Sequence, residues 1–109
     1  QIWRLGWCDD YPDASNFAKD VFRSDSGNNH TGWRNEEFDA VVDEAALEVD
    51  LEKRHDLYVE AEKILVEDDA VIIPIYWYAG VELTKPYVNR TFGKGGQNYW
   101  EKWSMDKPE

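Results

Sequence analysis

The chain has one cysteine, one methionine, four prolines and twelve basic residues among 109, and each shortage closes off a class of protein. A single thiol, Cys8, rules out an internal disulfide framework and any zinc site built from several thiolates. No apolar run approaches the ~20 residues that a membrane-spanning helix requires. Twelve Lys and Arg stand against 23 Asp and Glu, a formal charge of −11. That field repels phosphate backbones and anionic headgroups, so nucleic acid is not expected as a partner, and cationic or zwitterionic ligands fit better. The initiator Met, a basic-then-apolar leader and a lipidation motif are missing from the start, so the chain is expected to be a piece of a longer protein, read here as one segment over 1–109.

What is present is a folding composition: 42% hydrophobic and 15% aromatic, including six tryptophans. Such a chain can bury a core. The stretch Trp3–Asp13, WRLGWCDDYPD, reads as a strand that runs out near Asp9 into a loop, because Pro12 fixes its own φ and holds Tyr11 extended. Asp13 or Ser15 can cap a short helix over 14–22 with Phe17, Val21 and Phe22 inward. Residues 23–34, rich in Ser, Asp, Gly and Asn, predict an ordered surface loop. Asn35 and Asp50 then start two amphipathic helices, the first with Phe38, Val41, Val42, Ala45 and Val49 on one stripe. Leu57, Tyr58, Ala61, Ile64 and Leu65 form the stripe of the second, which reaches about Glu67. The β-branched and aromatic run 70–78 predicts a buried strand bent at Pro74, Val81–Leu83 a further short strand, and the Gly-rich, aromatic tail a loop and a last extended segment.

Motifs for catalysis are weak. Cys8 has no base near it in sequence, the pairs Asp9-Asp10 and Asp68-Asp69 lack the spacing of a calcium loop or a defined carboxylate dyad, and Phe92–Gly96 lacks phosphate-loop spacing. No metal, cofactor or catalytic residue is expected. Six tryptophans are compatible with a sugar-stacking surface and equally with a packed core.

Taken in order, GWCDDYPDASNF, a loop ending NNHTGW, NEEFDAVVDEA, LYVEAEKILVEDDAVIIPIYWY and LTKPYV resemble the C-terminal part of the oligopeptide-binding proteins of ABC importers. The resemblance covers nearly the whole chain but only a small part of such a protein. It implies a fragment of an α/β, two-lobed periplasmic-binding-protein-like fold with a mixed sheet flanked by helices. It also implies peptide as ligand, importer permease subunits as partners, and a periplasmic or cell-surface location with the full-length protein anchored or free. On this resemblance Asp10 matches the aspartate that pairs with a peptide's α-ammonium. Trp7 and Cys8 match pocket-lining positions, Arg4 a basic position that receives the carboxylate, and Tyr78 a pocket tyrosine. Each has a plain structural alternative: turn capping for Asp10, core packing for Trp7 and Tyr78, and a surface ion pair for Arg4. Asp9 departs from the family's small residue between Cys8 and Asp10. A sugar-binding receptor of the same fold is the nearest rival, with a carbohydrate-binding module and a hydrolase fragment behind it. A lone segment is expected to bind peptide weakly and can bury its uncovered apolar surface by self-association.

Overall fold

A computed structural model of the chain describes residues 2, 4–77, 79–93 and 98–106. It divides into two compact units, 1–75 and 76–109, taken separately below.

The first unit is helical. Its first turn, α1 (Ser15–Phe17), widens at once into a π-helical turn over Ala18–Phe22, which carries Val21 and Phe22 into the core. Asp13 accepts the Ser15 N–H at 2.9 Å and so starts this turn as a carboxylate at a helix start should. Helix α2 (Glu36–Leu47) begins where the Asn35 side chain accepts from the Glu37 and Phe38 amides, and α3 (Leu51–Lys63) where Asp50 accepts from Glu52 and Lys53. Each cap satisfies two of the amides that a helix start leaves without an intrahelical carbonyl. The helices pack on each other through Phe38, Val42 and Ala45 from α2 and Tyr58 and Ala61 from α3.

Helix α3 runs on as a π-helical turn, Ile64–Asp68, and ends at Ala70, whose φ of 48° lies in the left-handed region. The Asp69 amide donates to the Ile64 carbonyl at 3.0 Å and the Val71 amide to Leu65 at 2.9 Å, a C-terminal closure one residue wider than the usual Schellman pairing. One core results, made of Val21, Phe22, Phe38, Val42, Ala61, Ile64 and Leu65, with Trp7, Trp33, Val71 and Ile72 packed against it.

In the second unit two short strands pair antiparallel, β1 (Val88–Asn89) with β2 (Ser104–Met105), in register Val88 to Met105 and Asn89 to Ser104. Phe92 and Asn98 make a further antiparallel bridge. The guanidinium of Arg90 lies 4.5 Å from the Phe92 ring centroid and 4.8 Å from that of Trp103, and it pairs with Glu82. Trp100 and Trp103 stack at 4.4 Å. This ring cluster holds the last extended segment, as the aromatic tail suggested.

Mixed α/β content therefore stands, with the sheet reduced among the described residues to one antiparallel pair. Three expected elements differ. Residues 4–9 carry no strand: Leu5 and Cys8 are exposed while Trp7 turns onto the helical core, so the two-faced alternation fails. Described residues 70–77 carry none either, with Ile73 79% and Trp77 84% exposed, and Val81–Leu83 is likewise open. Composition marks these segments as fit for a sheet, but a strand exists only when another segment completes its ladder, and among the described residues none does. Val49, placed on the α2 stripe, is 90% exposed because α2 ends at Leu47.

Candidate functional site

The polar stretch between Trp7 and Asp20 is organised by one amide. Asn16 is fully buried, the one polar side chain so placed among the described residues. Its Oδ1 accepts from the Trp7 indole N–H at 2.8 Å and from the Asp10 backbone N–H at 3.3 Å, and its Nδ2 donates to Asp20 Oδ2 at 3.1 Å. The Tyr11 hydroxyl donates to the same Asp20 oxygen at 2.6 Å. A segment without regular structure thus acquires defined geometry through side-chain bonds to its backbone and rings.

Trp7 and Asp10, two of the residues singled out by resemblance, come together in one open concavity of about 420 Å³ whose lining also includes Lys19, Asp20, Arg23 and Asn28. Arg4 and Cys8 are exposed and do not line it, and Tyr78 falls outside the described residues. Asn16 had no signal in sequence beyond its place in the quoted segment GWCDDYPDASNF, and Asp20 and Arg23 had none.

The acids of the first unit differ in how far they are committed. Asp13 is bonded by Ser15 and by Arg54 at 2.7 Å; burial pushes its carboxyl up, but these bonds outweigh it and leave it below the ordinary value. Arg23 grips Asp43 in a fork, Nε to Oδ1 at 3.2 Å and Nη2 to Oδ2 at 2.8 Å, and also pairs with Asp25, so hydrogen bonding from Arg23 lowers both carboxyls and Arg23 itself is raised. Asp20 is taken up by Tyr11 and Asn16. Asp69 receives the Asn35 amide at 2.9 Å and the Trp33 indole at 2.8 Å, which lower it and pin the end of the 23–34 loop to the end of α3. Among the described residues nothing bonds the carboxylates of Asp9 and Asp10, and of the two only Asp10 lines the concavity. An uncommitted carboxylate beside a fixed indole can receive a cation and offer a flat apolar wall next to it. Among the described residues no group of three His, Cys, Asp or Glu is disposed to hold a metal.

The geometry defines an open concavity on the first unit, and sequence comparison gives the chain a lineage. The chain is 36% identical over 93 residues to the periplasmic oligopeptide-binding protein OppA of Salmonella typhimurium, covering 85% of this chain and 17% of that protein. It is 40% identical over 78 residues to the oligopeptide-binding protein OppA of Bacillus subtilis, covering 72% and 14%. It is 39% identical over 85 residues to the probable deoxycholate-binding periplasmic protein YgiS of Escherichia coli, covering 78% and 16%. No family model and no solved structure matches it. The chain is homologous to periplasmic oligopeptide-binding proteins over a fragment, and spans about 14–17% of the length of these relatives.

Proposed function

We propose that this chain is the C-terminal segment of a two-lobed, extracytoplasmic receptor that captures oligopeptides and delivers them to the permease subunits of an ABC importer, without catalysis. The reading is carried by Asp10, a carboxylate with no bond from the described residues, held beside Trp7 in a chain homologous to oligopeptide-binding proteins. In this reading Asp10 receives the peptide's α-ammonium and Trp7 forms a wall of the pocket. Cys8 offers its main chain to an extended peptide and Arg4 receives its carboxylate, while Tyr78, outside the described residues, is assigned to the ligand by the resemblance alone. The formal charge of −11 favours the ammonium end of such a ligand.

A second reading, a non-peptide cargo, is favoured by the similarity to a protein named as probable deoxycholate-binding. Deoxycholate is an anion, and the Asp10 carboxylate would repel it, so peptide is preferred. Mass spectrometry of the ligand that co-purifies with the full-length receptor tests the choice. Short peptides with free amino termini are expected; a sterol acid or an oligosaccharide as the bound species overturns the reading.

A further inference from the structure

We infer that Asn16 is a positioning residue for ligand recognition, holding the Trp7 ring and the backbone at Asp10 in the one arrangement that presents the Asp10 carboxylate to the concavity. The inference rests on the reading of Asp10 as an ammonium anchor. Three observations carry it. Asn16 is 0% exposed, so its amide is not engaged with solvent. Its single oxygen accepts from both residues that line the concavity on the Trp7–Asp10 side, at 2.8 and 3.3 Å. Its nitrogen is fixed by Asp20, which is itself held by Tyr11, so the amide has only one orientation that satisfies both ends.

The donor and acceptor sense of this chain of bonds makes it testable without emptying the site. Asn16→Asp keeps size and both acceptances but sets a carboxylate oxygen against Asp20 Oδ2 where an N–H stood at 3.1 Å. Two acceptors with no proton between them repel, and the pair must part. Adding Asp20→Asn reverses the sense: the amide now at position 20 donates to the carboxylate at position 16, and the Tyr11 hydroxyl accepts from that amide while donating to Ser15 Oγ, which lies 3.1 Å from it. Net charge is then that of the wild type.

The experiment uses the full-length receptor, with trialanine and N-acetyl-trialanine as probes in calorimetry and the Trp7 indole resonance of ¹⁵N-tryptophan-labelled protein as the structural readout. Asn16→Asp is expected to shift the indole resonance and to weaken trialanine by about tenfold or more, the loss of one hydrogen bond to a charged group, with a smaller loss for N-acetyl-trialanine. The added negative charge alone would strengthen an ammonium ligand, so a loss reports geometry. The double variant is expected to recover both the resonance and the affinity. Unchanged trialanine binding in Asn16→Asp, an equal loss for both peptides, or a double variant that regains the resonance without the affinity overturns the inference. Asp10→Asn separates it from the underlying reading: selective loss of trialanine there with silent Asn16 variants refutes positioning alone, whereas equal loss of both peptides in Asp10→Asn refutes the ammonium reading as well.

Discussion

Asp9 and Asp10 are adjacent and chemically identical, and what separates them is where the chain puts their neighbours. Asn16 accepts the Asp10 amide, Trp7 is fixed by the same oxygen, and Asp10 alone of the two lines the concavity. None of this is local in sequence: the bonds from Asn16 reach back six and nine residues through a segment without regular structure. No periodicity or motif forecasts such contacts, so the bonds of Asn16 to Trp7 and Asp10 have no signal in the sequence. Core residues are more legible. Phe38 was expected inward from helical spacing and is fully buried with its ring 4.9 Å from Trp33. Phe38→Ala is predicted to destabilise the helical unit by about 3–5 kcal/mol through lost transfer energy and an unfilled cavity, read by denaturant unfolding.

Individual elements were legible to the extent that they are made by near neighbours. The caps at Asn35 and Asp50 stand as their side-chain types and following acids suggested, because a cap bonds amides two and three residues away. Asn35→Ala is predicted to cost more than Asp50→Ala in thermal stability, where a cap alone is worth about 1 kcal/mol, because the Asn35 side chain also donates to Asp69. The end of α3 offers the opposite case. Ala70 holds a φ of 48° that suits glycine, so Ala70→Gly is predicted to stabilise the unit by roughly 0.5–1 kcal/mol. A lower melting temperature in that variant would contradict the closure described at Ile64–Val71. Strands are less legible than caps for a physical reason: an apolar, β-branched run such as 71–75 says that a strand would be comfortable, while the ladder that makes it a strand must come from elsewhere in the chain.

Charge acts on the molecule as a whole. Asp13, Asp43 and Asp69 have carboxyls held below the ordinary value of 3.8, so the folded state binds protons less readily than the unfolded chain. The stability these groups confer is therefore fully present above that value and lost as pH falls through their lower folded-state range. Arg23→Gln removes the guanidinium that depresses Asp43 and Asp25, and is predicted to lower the melting temperature at pH 7 and to flatten its decline below about pH 4. Parallel melting curves for both proteins across that window would contradict the assignment.

Ile73 and Ile75 in the first unit, and Trp77, Val81 and Leu83 in the second, are all more than three-quarters exposed, so each unit leaves large apolar side chains uncovered. The 109-residue chain alone is accordingly predicted to self-associate in sedimentation velocity, and Ile73→Lys with Leu83→Lys to return it to monomer.

The central claim, that Asp10 receives a free ammonium, is tested most directly by calorimetry on the full-length receptor with trialanine and N-acetyl-trialanine, wild type against Asp10→Asn. A charge-assisted bond predicts a loss of about ten- to a hundredfold for trialanine and little change for the acetylated peptide. Equal losses for the two peptides, or none for either, would contradict it.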